Sequence, residues 1–385
     1  MSEEELVGEE LQDALELDRR GLLKLAGVLG IGVAGSGIGA RVARGGTASA
    51  GSAAALKKTF GWAIAVQAPF FEQQLTRYMR KVLKQNKWGL VTQSEEGSAA
   101  KAQQIMSSFI TNNYWAMARA DGAPPKPFEP LAAKAKKNGQ LWLNHAVQAV
   151  GTAGQNIVFD HAAAGDGIGK AAVAWAKRNA ISKPVVGMLA NIPDPEGKKR
   201  TDYALKAVQK AFPNTSFAGQ VYSVDQPQTG ATATANLLQA HPDINMILTF
   251  NTVSGKGATQ AANEAGRTDP KTFFIGMADA EDETLKLVAS GTSICQANWG
   301  AYFQFSAVLM CRDALKFAAG GKILPTRRVG GKALVDAASV AQYQKVTNDP
   351  LSAGAAPIYK DKSIVAYSAI ALKTGQSVNT IFKVG

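Results

Sequence analysis

The feature of this sequence that most constrains its fold is an alternation of short apolar runs and helical patterns, which begins near residue 58. Apolar runs of strand length recur along the chain, and helical patterns lie between them. These runs are Phe60–Val66, Leu141–Leu143, Asn156–Phe159, Val185–Ala190, Phe217–Val224, Ile244–Phe250, Phe273–Ala278 and Thr292–Ala297. The last five begin about 19 to 32 residues apart, close to the length of a βαβ unit. The pattern predicts an α/β fold with parallel sheets.

The number of strand–helix units predicts two lobes. About eleven units are too many for one compact sheet, so two Rossmann-like lobes are the natural packing. The helical patterns include one with apolar residues at Leu75, Tyr78, Met79 and Val82, and a long one over Tyr302–Ala318. Each of them buries one face against a sheet.

The composition is that of an ordinary globular protein, with 385 residues, 46% hydrophobic and 19% charged. The formal net charge is +12, but the longest cationic run is only Lys198-Lys199-Arg200, so nucleic-acid binding is not favoured. The two cysteines, Cys295 and Cys311, are too few for a disulfide framework or a structural zinc site. Three histidines leave little material for metal chemistry, and we expect no metal and no cofactor.

The first fifty residues have the order of parts of an export signal. Paired Arg19-Arg20 precede an uncharged, glycine-rich apolar run from Leu25 to Ala40, and Ala48-Ser49-Ala50 offers a small-x-small cleavage site. The paired arginines resemble the twin-arginine export motif. We therefore predict a signal peptide over residues 1–50, cleavage near Ala50 and a soluble mature protein outside the cytoplasm.

Two glycine motifs invite a nucleotide-binding or catalytic interpretation that the surrounding residues do not support. Gly35–Ala40 fits the dinucleotide-binding turn, but the chain has no acid near position 60, where that fold needs one. Gly165–Ala171 has the glycines and lysine of a P-loop, but Ala171 stands where a Ser or Thr must hold Mg²⁺. With no activated nucleophile beside them, these motifs do not indicate an enzyme.

Polar and aromatic side chains follow most of the predicted strands. Ligands of open parallel sheets bind beyond the carboxyl ends of the strands. We therefore take the residues at these ends as the candidate ligand-binding set, which is Phe70, Phe71, Asn144, His145, Arg200, Asn251, Thr252, Asp279 and Gln296.

The chemistry of this set suits a neutral ligand that carries many hydroxyls. Each hydroxyl both donates and accepts, so planar amide, carboxylate and guanidinium groups bind two neighbouring hydroxyls at once. Aromatic rings pack on the C–H face of a sugar. The set holds one clear arginine, which does not favour a phosphate ligand.

Several motifs carry a resemblance to a known family, and their order and spacing matter more than any one of them. They are Pro69-Phe70-Phe71, Asp160 to Gly165, Arg200 after a Pro/Gly loop, Asn251-Thr252 with Gly257-Ala258, Gly276 to Asp279, and Gln296. Over roughly residues 58–340, the chain resembles a type I periplasmic sugar-binding protein of the ribose-binding kind, the solute receptor of an ABC importer.

The resemblance implies roles for these residues. Phe70 and Phe71 sandwich the sugar, Arg200 grips its hydroxyls, and Asn251 with Thr252 faces the ligand. Thr252 and Asn144 both stand where the family has aspartate, and Gly276–Asp279 carries an extra residue. These departures leave the identity of the ligand open.

The resemblance also implies two lobes joined by three crossings. We expect an N-terminal lobe of residues 51–159 plus 298–327 and a C-terminal lobe and tail of residues 160–297 plus 328–385. The crossings are expected near Asp160, near Ala297-Asn298 and within Pro325–Val335. A monomer that delivers a sugar or polyol to a membrane permease is the function this implies.

Each candidate residue also has a purely structural interpretation. Asn251 and Asp279 both precede helices and are typical capping residues. One of the two phenylalanines fits a core position, Arg200 fits a solvated cluster with its lysine neighbours, and His145 fits a hydrogen-bonded rim position.

Three other functions remain open or are disfavoured. A receptor for another small polar ligand, such as a signalling furanose, a nucleoside or an amide, stays open. A sugar-responsive regulator needs an N-terminal helix-turn-helix, whereas residues 1–57 resemble an export signal. An enzyme needs an activated nucleophile or a complete nucleotide turn.

Overall fold

The computed structural model describes residues 55–65, 70–120, 124–145, 148–192, 196–223, 226–331, 333–376 and 381–382 of the chain, without the side chains of Phe70 and Phe71. The predicted signal peptide of residues 1–50 and its cleavage site lie outside these residues.

The strands are short and mostly buried. In chain order they are β1 Lys57–Ile64, β2 Gly89–Ser94, β3 Tyr114–Arg119, β4 Leu141–His145, β5 Gln155–Phe159, β6 Val185–Ala190, β7 Ser216–Tyr222, β8 Met246–Thr249, β9 Phe274–Ala278, β10 Cys295–Trp299, β11 Thr326–Val329, β12 Leu334–Val335 and β13 Val365–Ser368.

Helices alternate with the strands over most of the chain. They are α1 Phe70–Gln85, α2 Ala99–Thr111, α3 Glu129–Lys137, α4 His161–Arg178, α5 Lys199–Ala211, α6 Pro227–Ala240, α7 Thr252–Glu264, α8 Asp282–Ser290, α9 Phe303–Ala318, α10 Val340–Asn348 and α11 Ala356–Lys360. Within the described residues, no helix combines the length and the apolar character that a membrane crossing requires.

The strands form two sheets, which define two lobes. The first sheet has the order β13-β11-β5-β4-β3-β1-β2, and the second has the order β12-β10-β9-β8-β6-β7. All pairs are parallel except β11 with β13 and β10 with β12. The predicted α/β class with two lobes of parallel sheet is therefore confirmed.

The chain passes between the sheets more often than we expected. It leaves the first sheet after β5, returns after β10, and passes from β11 to β12 between Val329 and Leu334. It then returns once more, because β13 pairs with β11 in the first sheet. Assigning all of residues 328–385 to the C-terminal lobe was wrong for β13, whose register places Val365 opposite Val329.

Four strands of the first sheet and one of the second were not predicted. Strand β2 lies at the edge of the sheet and is only half-buried, so its sequence lacks a continuous apolar run. Strand β3 contains the charged residue Arg119, which is fully buried. Strands β11, β12 and β13 have only two to four residues, too few to show a period.

The glycines that resemble a P-loop serve helix packing. A Cβ atom on Gly165 would come within 2.6 Å of the carbonyl oxygens of Lys199 and Arg200, and one on Gly169 within 2.6 Å of the Ala207 Cβ. Helix α4 therefore approaches α5 more closely than larger side chains allow. This close contact fixes the first turn of α5, where Arg200 lies.

Candidate functional site

The most developed polar cluster lies at the carboxyl edge of the second sheet, beside the crossings. It brings Arg200 in the first turn of α5 together with His161 at the start of α4 and Asp279 just after β9. Helices and strands from separate parts of the chain converge here because the strands of a parallel sheet all end at the same edge.

Arg200 is the centre of this cluster and is only 6% exposed. Its Nε donates to His161 Nδ1 over 2.7 Å, and its Nη1 donates to the Phe250 carbonyl oxygen over 3.1 Å and to Asp279 Oδ1 over 2.9 Å. The guanidinium carbon lies 4.5 Å from the Phe250 ring centre and 5.3 Å from that of Trp299. The guanidinium is thus packed against two aromatic rings, a fixed geometry rather than a solvated charge.

The backbone at Asp279 is bent so that its carboxylate reaches Arg200. Asp279 has a φ of 87° and Ala280 a φ of 52°, both in the left-handed region that these residue types rarely adopt. The Asp279 amide donates to the Trp299 carbonyl oxygen over 3.0 Å, which holds this bend against β10. The residue that caps α8 is Glu281, so Asp279 is not a helix cap. Backbone strain of this kind is found where function requires it.

The electrostatics of the Arg200–Asp279 pair leave no net charge in the cluster. Burial raises the pKa of the Asp279 carboxyl, and the neighbouring Arg200 opposes that rise. The pair presents donors and acceptors side by side.

His161 is a component of the cluster that the sequence did not reveal. Because a guanidinium only donates, the bond from Arg200 requires His161 Nδ1 to be an acceptor, and the neutral ring then carries its proton on Nε2. Burial, together with the charges of Arg200 and Lys199, lowers the pKa of His161 well below its usual value. Nε2 is buried and has no hydrogen-bond partner among the described residues. It is therefore a donor held ready for an acceptor.

Asn298, near the carboxyl end of β10, is the second residue that was missed. It is fully buried, and neither its amide nitrogen nor its amide oxygen has a hydrogen-bond partner within the described residues. Its neighbours across the sheet are Met277 and Val335. Leaving both atoms unpaired is costly, so an unpaired buried amide indicates a site for a ligand or water.

Asn251 and Thr252 lie at the start of α7, next to Phe250. Asn251 caps this helix, since its Oδ1 accepts from the Ser254 amide over 3.0 Å and from Ser254 Oγ over 2.9 Å. The capping interpretation therefore accounts for the Asn251 oxygen. Thr252 is 1% exposed, and its Oγ1 has no partner in the part of the chain that is described.

The structure does not bring Asn144 and His145 to the Arg200 cluster. Asn144 Nδ2 donates to Gln148 O over 2.9 Å and to Asn156 Oδ1 over 3.0 Å, which ties the loop after β4 to β5. His145 Nε2 lies 2.9 Å from Ser306 Oγ, and the ring packs edge-on against Trp62 and Phe159. Burial is the main cause that lowers the pKa of His145 to about 4. His145 is a neutral interior residue of the first lobe.

Gln296 also lies away from the cluster, at the start of β10. Its Nε2 donates to the Pro270 carbonyl oxygen over 2.5 Å, and its Oε1 accepts from Arg178. Arg178 ends helix α4, about 25 Å along the helix axis from His161. The structure therefore does not bring Gln296 to Arg200, and a role of Gln296 in the ligand site stays a prediction.

The predicted aromatic pair begins helix α1 at the carboxyl end of β1. The side chains of Phe70 and Phe71 lie outside the described part of the structure, so their role stays a prediction. A charged group is nevertheless present at this edge of the first sheet. Arg119 ends β3, is fully buried, and has its guanidinium carbon 4.1 Å from the Phe128 ring centre.

The cluster has the chemistry of a binding site. In the described residues, no group of His, Cys, Asp and Glu side chains is arranged to hold a metal ion. Burial raises the pKa of the Cys295 thiol to about 12, so it is no nucleophile at neutral pH. What the cluster offers is a set of fixed donors and acceptors between aromatic rings.

Comparison with known proteins places this geometry in a family. The family described as "Periplasmic binding protein domain" matches residues 60–319. A comparison with curated proteins gives no match.

Solved structures of solute-binding proteins share the fold at low sequence identity. One is an ABC transporter periplasmic solute-binding protein from Actinobacillus succinogenes 130z with bound D-allose, at 19% identity and a TM-score of 0.65, covering 74% of this chain and 99% of that one. Another is a Mycobacterium smegmatis protein in complex with β-D-fucofuranose, at 18% identity and a TM-score of 0.66, covering 78% and 97%. A third, from Bacillus halodurans C-125 with bound myo-inositol, has 14% identity and a TM-score of 0.65 and covers 75% and 98%.

The match spans well over half of the chain, and the two-lobed fold agrees with that of the solved structures. Members of this family bind solutes and are not enzymes, as we expected from the absence of an activated nucleophile. The chain belongs to the periplasmic binding protein family and has the type I fold of that family.

Proposed function

We propose that this protein is an exported solute receptor that captures a monosaccharide or a related polyol between its two lobes and delivers it to the permease of an ABC transporter. The observation that supports this proposal best is the buried cluster of Arg200, Asp279 and His161, in which His161 Nε2 has no hydrogen-bond partner among the described residues.

The charge balance of the cluster favours a neutral ligand. Asp279 already neutralises Arg200, so a phosphate or carboxylate would have to compete with a buried carboxylate. A sugar hydroxyl instead accepts from one partner and donates to the other. The pair therefore fits two adjacent hydroxyls, and the Nε2 proton of His161 fits a third oxygen.

The aromatic rings favour a ligand with an apolar face. Phe250 and Trp299 stand on the Arg200 guanidinium, and Trp299 is fixed at the crossings by its indole bond to the Gly331 carbonyl oxygen over 2.8 Å. Phe250 is partly exposed and its ring can pack on a face of C–H groups, whereas Trp299 is fully buried and holds the guanidinium in place.

The ligands of the related structures agree in class but differ in identity. D-allose, β-D-fucofuranose and myo-inositol are each bound by a different protein of this fold. All three are neutral and polyhydroxylated, which is the class that the cluster fits. Sequence identities below 20% give no basis for choosing among them.

Capture depends on movement about the crossings. The cluster lies in the second lobe directly beside the first crossing, so a ligand bound there contacts the first lobe only when the lobes are closed. Such a ligand shifts the population toward the closed form, which is the form expected to dock on a permease. Export through the predicted signal of residues 1–50, cleavage near Ala50 and action as a monomer complete this proposal.

The test is isothermal titration of the protein with a panel of pentoses, hexoses, hexofuranoses and polyols. We expect heat from at least one member, with a dissociation constant in the micromolar range or below. The panel includes nucleosides and small amides, which represent the alternative receptor. Heat from only these would assign the cluster to that alternative, and no heat from any compound would overturn the proposal.

A further inference from the structure

A second charged region lies at the end of the first lobe where its parallel strands begin. The residues that define it are all lysines. We call it the basic pole and define it by eight exposed lysines at the amino edge of the first sheet. They are Lys57, Lys58, Lys84, Lys87, Lys134, Lys136, Lys137 and Lys322.

The topology brings these lysines to one end of the lobe. Parallel strands begin at the same edge, and the helices that connect them run back and end at that edge. Lys57 and Lys58 begin β1, while the other groups follow or end helices α1, α3 and α9. Two hydrogen bonds connect the segments that carry these lysines. The Lys57 amide donates to Asn113 O over 2.7 Å, and Gln140 Nε2 donates to Tyr114 O over 2.9 Å.

The described carboxylates of residues 55–159 lie at the other end of this lobe, and Asp349 pairs with Lys81 on α1 over 3.8 Å. Of residues 55–159, the described acids are Glu72 in the first turn of α1, Glu95 and Glu96 after β2, and Glu129 at the start of α3. All four therefore stand at the carboxyl edge, and within the described chain no ion pair joins a carboxylate to any of the eight lysines. Two arginines, Arg77 and Arg80, extend the positive charge further along α1.

The corresponding end of the second lobe is different. It carries charges of both signs, which are Lys177, Arg178, Lys183, Lys210, Asp243, Glu264, Arg267, Asp269 and Lys271. The two lobes share the same topology at these ends, so topology alone does not produce the uniform sign of the basic pole.

Helix stabilisation explains only part of the basic pole. Lysines in the last turn of a helix interact favourably with its dipole, which accounts for Lys84, Lys134, Lys136 and Lys137. It does not account for the strand residues Lys57 and Lys58, and it does not require the absence of acids.

We propose that the basic pole docks on an anionic phospholipid surface. Lysines are hydrated point charges that suit a diffuse layer of headgroups, whereas nucleic-acid sites favour arginine forks and exposed aromatic rings. Docking here leaves the Arg200 cluster, at the carboxyl edge of the second sheet, open to solute.

The test is co-sedimentation of the full mature chain with vesicles. Vesicles of phosphatidylcholine alone are compared with vesicles that contain about 30% phosphatidylglycerol, at about 50 mM and about 500 mM NaCl. The test variant carries Lys58→Glu, Lys84→Glu, Lys134→Glu and Lys137→Glu. The control variant carries Lys177→Glu, Lys183→Glu, Lys206→Glu and Lys210→Glu, which change the net charge equally on the second lobe.

We expect binding to the anionic vesicles at low salt only, and a loss of affinity of at least about tenfold in the test variant but not in the control. Sugar titration and thermal unfolding of both variants should match the wild type. Equal weakening by both variants would show attraction by net charge alone and would overturn the proposal. Absence of vesicle binding, or tighter binding to duplex DNA than to the anionic vesicles, would overturn it as well.

Discussion

Each lobe contains a buried arginine–aspartate pair with a histidine nearby, but the two pairs do different things. In the first lobe, Arg327 of β11 pairs with Asp313 in the middle of helix α9, and its guanidinium lies 5.0 Å from the Tyr367 ring centre. In the second lobe, Arg200 pairs with Asp279 at the end of a strand. The first pair joins a helix to a sheet inside the lobe, whereas the second stands at the edge where ligands bind.

Position and backbone conformation distinguish the two pairs more than chemistry does. Asp313 is a regular helical residue, while Asp279 has a φ of 87°. His145, near the first pair, uses its Nε2 on Ser306 Oγ, while the Nε2 of His161 has no partner among the described residues. The bonded ring nitrogen of His145 stabilises the fold, whereas the buried ring nitrogen of His161 is available to a ligand.

The largest expected effect is on the first pair. Arg327→Met leaves Asp313 buried without its partner, and we expect the free energy of unfolding to fall by about 3–5 kcal/mol. Chemical denaturation measures this loss. The double variant Arg327→Met/Asp313→Leu should recover most of it, because no buried charge remains. A loss below about 1 kcal/mol in the single variant would contradict the structural role.

The second pair should respond mainly through ligand binding. Arg200→Ala removes donors to the ligand, and we expect the affinity for the sugar that the panel identifies to fall by more than about 2 kcal/mol, roughly thirtyfold. Titration calorimetry measures the change. Arg178→Ala, which alters an exposed arginine of the same lobe, serves as the control. An unchanged affinity in Arg200→Ala would remove this residue from the site.

The pH dependence of stability tests the neutral histidine of the first lobe. The pKa of His145 is about 4 in the folded chain and near 6.5 when unfolded, so between these values the unfolded chain binds more protons and stability falls as pH falls. We expect the stability advantage of the wild type over His145→Gln to shrink by about 2 kcal/mol from pH 7 to pH 5. A constant difference across this range would mean that His145 is not held neutral.

The smallest expected effect distinguishes two residues of the same strand. Asn298→Ala removes a buried amide of β10 that has no hydrogen-bond partner among the described residues, and we expect about fivefold weaker sugar binding, close to 1 kcal/mol. Gln296→Ala should leave the affinity unchanged, because Gln296 is bonded to Pro270 and Arg178. The reverse result would restore Gln296 to the site.

The sequence predicted the fold class because the hydrophobic period and the spacing of strands do not depend on small errors in strand boundaries. The alternation of strands and helices predicts two parallel sheets whether a strand ends one residue early or late. The prediction of site residues is more sensitive to an error of one or two residues. Gln296 was selected because it follows Ile294-Cys295 and resembles the family's glutamine, whereas the strand extends to Trp299 and Asn298 was missed.

Other features of the site depend on contacts between residues that are far apart in the sequence, which no local sequence pattern predicts. Arg200 and Asp279 were identified from their positions after strands, but the bond from Arg200 to His161 joins residues 39 positions apart and fixes the tautomer of the ring. The positive φ of Asp279 follows from its bond to β10 rather than from its own residue type. The strand β13 was missed because its partner β11 has only four residues.

The most direct measurement of the central claim uses the three histidines of the chain as reporters. Selective ¹⁵N labelling gives ring signals for His145, His161 and His241, which are assigned by single substitutions. On addition of the sugar identified by calorimetry, we predict that the His161 signals shift while those of His145 and His241 stay in place. A sugar that binds tightly and leaves the His161 ring unchanged would contradict the assignment of this cluster as the ligand site.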